Sequence, residues 1–150
     1  FATPGYNIRP LEMSGAIGSE QLKKWPSIME VRQKNADHFV SLFKDKSWCR
    51  IQKTIGLSSW FTFGMVLDGT LKGRRAEVVK ALDEAGIQNR PLASRNFLKQ
   101  PVMRDLDHTA SQDMPAADDI HDNGFFVGNG STDITAQIDK LYEVISKFTE

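Results

Sequence analysis

A single cysteine, Cys49, stands in 150 residues. No disulfide can form within the chain, and one thiol cannot complete a cysteine-based zinc site. No apolar run approaches the roughly 18 residues that a membrane-spanning helix needs, and no basic stretch followed by an apolar one marks a secretory leader. Net charge is missing as well, because 19 Lys and Arg balance 19 Asp and Glu. Nucleic-acid binding therefore has no electrostatic support at the level of the whole chain, and neutrality removes one brake on self-association. The three histidines, His38, His108 and His121, are scattered, with none paired at metal spacing, so no metal is expected. A P-loop, a G-x-S-x-G elbow and a dinucleotide glycine fingerprint are all absent. There is no internal repeat and no low-complexity tract. A cytoplasmic location is the expectation, for a chain with the ordinary apolar and charged content of one domain.

The strongest local signal is the segment P-G-Y-N-I-R-P-L-E-M-S-G-A-I-G-S-E-Q-L, from Pro4 to Leu22. A glycine turn precedes Asn7 and Arg9, and Pro10 fits the first turn of a helix, where its missing N–H is harmless. Met13, Ala16, Ile17 and Leu22 continue at helical spacing. Gly15 and Gly18 on the same element predict a close backbone approach to a neighbour. The chain opens on Phe1 with this motif only a few residues in, so a piece of a larger protein is expected.

Pro26 ends or kinks the first helix. A second helix is predicted over residues 27–44, with Ile28, Ala36, Phe39, Val40 and Phe43 on one face. Strands are predicted at 50–55 and at 60–67, the latter reading W-F-T-F-G-M-V-L. A helix over 74–85 buries Val78, Val79 and Leu82 and ends at Gly86. Residues 87–92 read as a short strand running into a loop, and 94–113 as irregular. A short helix at 114–122 and a buried strand at 124–129 follow. The last helix carries Ile134, Ile138, Leu141, Ile145 and Phe148 at steps of four and three. This irregular alternation puts the fold in the α+β or α/β class.

Several chemistry-bearing residues have plain readings. Cys49 reads as a packing residue rather than a nucleophile. His121 reads as a surface or capping residue, although it could line a pocket. The cluster Trp60, Phe61 and Phe63 reads as sheet core rather than a base-stacking platform. Lys23–Lys24 and Arg74–Arg75 read as solvated helix faces. Two constellations keep two readings each. Tyr6-Asn7-x-Arg9 before a helix start can hold a phosphate or a polar sugar, or Asn7 can cap the helix while Arg9 extends to solvent. Asn89-Arg90-Pro91-Leu92 with Arg95-Asn96-Phe97-Leu98 can grip an anionic ligand, or can be a structural loop network.

At these residues the chain resembles a known family. G-Y-N-I-R-P-L-E-M-S-G-A-I-G-S-E-Q-L-K-K, V-R-Q-K-N-A-D-H-F, S-S-W-F-T-F, A-G-I-Q-N-R-P-L, N-F-L-K-Q-P and N-G-F-F-V-G-N appear in that order. Together they are similar to the nucleotide-sugar aminotransferases and dehydrases of fold type I, the DegT/StrS family. The resemblance covers nearly the whole chain. It implies the small C-terminal domain of a PLP-dependent transferase, with a short, mostly antiparallel sheet packed with helices. A large domain upstream would carry the cofactor ring and the catalytic Lys, which is His in the dehydratase branch, so no catalytic residue is expected here.

The implied cofactor is pyridoxal 5'-phosphate or its pyridoxamine form, and the implied assembly is a homodimer. Asn7, with Tyr6 beside it, would reach the cofactor phosphate of the partner subunit, and Arg9 would lie near the cofactor or the sugar. Arg90, Asn96 and Phe97 would border the nucleotide-sugar pocket. The 3-dehydratase branch acting on a GDP-linked keto sugar, with glutamate as amino donor, is the best match. A perosamine-type aminotransferase is the alternative, and a domain that only dimerises or binds a nucleotide sugar is a second one. The isolated chain is expected to be inactive. One departure stands out: relatives usually carry Gly where this chain has Arg95, and a positive φ there would strain an arginine.

Overall fold

The computed structural model describes residues 11–110 and 113–149. Two helices come first, α1 (Glu12–Lys23) and α2 (Trp25–Phe43), joined at Lys24 with Pro26 in the first turn of α2. Then follow β1 (Cys49–Ile51), β2 (Thr62–Leu67), α3 (Arg75–Glu84), β3 (Asn89–Pro91), α4 (Pro115–Asn123), β4 (Gly124–Gly128) and α5 (Thr135–Ser146). The four strands form one sheet in the order β1-β2-β4-β3. Every pairing is antiparallel, with Ile51 opposite Met65, Gly64 opposite Phe126 and Arg90 opposite Phe126. The fold is α+β, as the sequence predicts.

Strand alternation decides which face is covered. Phe63, Met65 and Leu67 of β2 point inward with Phe125 and Val127 of β4, and all are buried. Phe39 and Phe43 of α2, Val78 and Leu82 of α3, and Ile138, Leu141 and Ile145 of α5 complete this core. Gly86 ends α3 at φ 76°, with Ile87 N–H donating to Leu82 O at 2.8 Å, so a left-handed residue stops the helix there. The outer face is covered at one end by Leu92 and α4. A Cβ on Gly124 would lie 2.5 Å from Ile120 O and 2.7 Å from Leu92 Cδ1, so only glycine fits beneath them.

Three expectations need correction. The strand predicted over 50–55 stops at Ile51, and Ile55 is 96% exposed. The second strand begins at Thr62, because Trp60 takes φ 45° and turns its ring into the core beside Phe39 and Phe63. A Cβ on Gly15 or Gly18 would meet nothing within 4 Å, and no residue of α1 is buried. The close approach expected at those glycines is therefore not made among the described residues. No helix there is long and apolar enough to cross a membrane.

Candidate functional site

Beyond Leu92 and α4 the outer sheet face lies open. A shallow cleft there is lined by Phe61, Thr62, Arg90, Phe126 and Asn129, among others. Arg90 sits on β3, an edge strand, where Pro91 can lack its N–H without breaking the ladder. Its guanidinium has no hydrogen-bond or ion-pair partner among the described residues. Arg50, at the other edge of the sheet, is different. It pairs with Asp68 at 2.8 Å and with Asp119, which also faces Lys72. An anion arriving at the outer face thus meets free positive charge at Arg90 and neutralised charge at Arg50.

Two buried amides hold the floor of the cleft. Asn129 Nδ2 donates to Arg32 O at 3.1 Å and Trp60 O at 2.8 Å, while its backbone N–H donates to Phe61 O at 3.2 Å. Asn35 Nδ2 donates to Asn129 Oδ1 at 3.1 Å and to Thr132 O at 2.8 Å, and Asn35 Oδ1 accepts from Ile134 N–H. Asn35 and Asn129 are 0% and 4% exposed, and each therefore needs these partners. The network locks the start of β2 to α2 and to the segment before α5. Phe61 emerges from that locked backbone 69% exposed, which corrects its reading as sheet core; Trp60 and Phe63 keep theirs. Arg32 lies over the Phe61 ring, 5.5 Å from its centroid. Neither Arg32 nor Asn129 is singled out by the sequence reading. The polar Asn that follows the apolar strand G-F-F-V-G is the available signal.

The second arginine-rich loop divides differently. Asn96 is 6% exposed and its amide is used inside the fold. Its Nδ2 donates to Asp118 Oδ1 at 2.8 Å and its Oδ1 accepts from Leu98 N–H at 3.1 Å, capping a 3-10 turn at Phe97–Lys99. Lys99 also pairs with Asp118 at 2.7 Å, and these two hydrogen bonds, Lys99 first, hold the Asp118 carboxyl below its usual range. The loop network reading therefore fits Asn96, while Arg90 faces the open cleft. Phe97 is 40% exposed. Arg95 adopts φ 57° and Ala93 φ 44°, so the turn takes the left-handed backbone that strains an arginine.

The face containing Arg74 and Arg75 is not simply solvated. Arg74 donates to Glu77 and to Phe148 O, and Arg75 is half-buried against Gly124 O. Burial, with the charge of Arg95 second, holds Arg75 below the usual guanidinium range. Cys49 is buried, and burial pushes its thiol up to about 12, so it is the packing residue expected. His121 is half-buried, and its Nδ1 has no hydrogen-bond partner among the described residues. Tyr6, Asn7 and Arg9 lie outside the described residues. The described residues contain no group of three or more His, Cys, Asp or Glu able to hold a metal ion.

A pyridoxal phosphate needs a walled slot for its ring with an amine or acid beside it. The Arg90 cleft is shallow, and its lining includes no lysine and no carboxylate. The Arg90 cleft therefore does not itself form a cofactor slot; it offers a guanidinium and aromatic surface.

Known proteins share this sequence and fold. The chain is 47% identical over 148 residues to the GDP-4-keto-6-deoxy-D-mannose 3-dehydratase of Yersinia pseudotuberculosis, covering 98% of this chain and 38% of that protein. A crystal structure of GDP-4-keto-6-deoxymannose-3-dehydratase with a trapped PLP-glutamate geminal diamine superposes with TM-score 0.84 at 44% identity, over 94% of this chain and 37% of that one. A mutant of that enzyme with bound GDP-perosamine gives TM-score 0.85 at 44% identity, over 95% and 37%. The chain thus spans well under half the length of the relatives it matches. Residues 2–146 match the DegT/DnrJ/EryC1/StrS aminotransferase family, and the chain belongs to that family.

Proposed function

We propose that this chain is the smaller lobe of a PLP-dependent GDP-4-keto-6-deoxymannose 3-dehydratase acting in deoxysugar formation in the cytoplasm. The carrying observation is Arg90, an unneutralised cation on the open outer sheet face of a chain 47% identical to such an enzyme. Related solved structures hold GDP-perosamine and a PLP-glutamate adduct, which supports a GDP-linked keto sugar as substrate and glutamate as amino donor. When bound, the cofactor supplies an electron sink for proton removal and loss of the sugar hydroxyl. Its ring and the base belong to protein beyond the described residues. This lobe handles the substrate: Arg90 meets the diphosphate, and Phe97 borders the sugar. Asn96 acts by shaping the loop that carries Phe97. Asn7 and Tyr6 reach a partner subunit's cofactor phosphate, and Arg9 reaches the cofactor or sugar.

The test is a calorimetric titration of the chain with GDP-mannose. Arg90→Gln is expected to weaken binding about tenfold, the size of a lost hydrogen bond to a charged group. An unchanged affinity, or no binding by the unmutated chain, overturns the assignment.

The lobe reading also gives α1 a role. Met13 and Ile17 project from one side of this helix and Leu22 from the other, near the glycines, with Leu11 at its N-cap. These four are 63–71% exposed. A helix apolar on both sides belongs between two protein surfaces. In the assembled enzyme these are the larger lobe and a second subunit. The chain alone is therefore expected to self-associate, and Ile17→Glu to shift it toward monomer in sedimentation equilibrium. A monomeric unmutated chain at high concentration contradicts this.

A further inference from the structure

We infer that Phe61 is the platform on which the nucleobase of the bound nucleotide stacks, with Arg32 as its cationic backing. The inference rests on the reading of the Arg90 cleft as the nucleotide-sugar site and names the part of the substrate held at its far wall. Four observations carry it.

Phe61 is a large ring 69% exposed immediately before a core strand, in a motif whose other aromatics are buried. Its backbone is fixed by Asn129, whose N–H meets Phe61 O and whose amide meets the carbonyls of Trp60 and Arg32. The backbone that carries the ring is therefore held in place before any ligand arrives, which lowers the entropic cost of binding. Arg32 covers the ring at 5.5 Å and is not among the residues lining the cleft, so other parts of the ring border the cleft. Finally, Arg32 has no carboxylate partner among the described residues, and its Nε is buried without a hydrogen bond there.

Phe61 and Arg90 line the same cleft. An aromatic platform and a free guanidinium in one cleft fit a ligand with a planar part and an anionic part. That is the chemistry of a nucleoside diphosphate: the base lies on Phe61 and the phosphates reach Arg90. Stacking gives affinity without reading hydrogen-bond edges, so Phe61 sets the grip on a base rather than the choice among bases. Arg32 contributes through the ring and is a positioning residue.

The test titrates the ¹⁵N-labelled chain with GDP and, separately, with inorganic pyrophosphate, following amide shifts. Phe61→Leu is expected to weaken GDP about tenfold, within the range for loss of one base–aromatic stack, and to leave pyrophosphate unchanged. Phe61→Tyr is expected to restore GDP binding. Arg90→Gln is expected to weaken both ligands. If Arg90→Gln weakens both while Phe61→Leu leaves GDP unchanged, the stacking role falls and the cleft assignment stands. If Phe61→Leu weakens GDP and pyrophosphate equally, the ring acts through the fold and the inference is overturned. Failure of both ligands to bind overturns the inference together with the reading beneath it.

Discussion

Phe39→Ala is expected to lower the stability of this chain by about 3–5 kcal/mol, the usual cost of truncating a buried phenylalanine. Phe39 is fully buried and is the centre of an aromatic stack. Its ring lies 4.4 Å from that of Phe63 at an interplanar angle of 9°, 4.7 Å from Phe43 and 6.3 Å from Trp60. It thus joins α2 to the inner face of β2 at one point, and the cavity left by alanine has rigid walls on both sides. Against a total of about 5–15 kcal/mol for a domain, that loss removes a large part of the folded state's margin. Urea unfolding followed by tryptophan fluorescence measures it. Phe61→Ala, two residues before Phe63, is expected to cost less than about 1 kcal/mol, because that ring is mostly exposed and its partner is the Arg32 cation. Equal effects at the two positions would refute the placement of both rings.

Asn129→Asp is expected to destabilise the chain by about 2–4 kcal/mol at pH 7, with almost no change in volume. The replaced Nδ2 serves two carbonyl oxygens, those of Arg32 and Trp60. A carboxylate oxygen placed there would face two acceptors with no donor between them, and each orphaned buried group costs about 1–3 kcal/mol. Protonation restores one donor. The folded state therefore favours the neutral acid, and the introduced carboxyl titrates above its unfolded value of about 4. For a raised acid, the deficit is smallest below the unfolded pKa and grows as pH rises through it. Denaturation at pH 4 and pH 7 is expected to show the larger deficit at pH 7. A deficit independent of pH would mean that the amide does not face those carbonyls.

The parts of this fold that can be read from sequence are those with long periodic patterns. α2 and α5 show their buried stripes because three or more turns repeat the same spacing, and α3 is closed by a glycine whose conformation the structure confirms at φ 76°. Strand limits are less legible. Ile51, Lys53 and Ile55 alternate correctly, yet pairing stops at Ile51, opposite Met65, and Ile55 is exposed; at the second strand Trp60 turns its backbone to bury an indole, which delays the start to Thr62. The candidate site is legible in residue type and only partly in role. Arg90 and Asn96 look alike in sequence as polar groups around a proline-stiffened loop. The difference between them is made by Asp118, which is remote in the chain and claims the Asn96 amide. Arg32 is illegible because one arginine on a helix carries no signal until Phe61, brought from another element, lies beneath it.

The strand order also governs how the chain can be born. β4 lies between β2 and β3 and is the last of the four to be made. At ordinary elongation of about 5–20 residues per second, β3 leaves the ribosome several seconds before the strand it must pair with. During that interval the ladder edge of β2 that β4 will occupy stands open, beside the uncovered rings of the nascent core. A chaperone has its natural point of engagement there. A premature stop before Gly124 would leave β3 without a place in the sheet, and so would yield an aggregating polypeptide rather than a slightly shortened lobe.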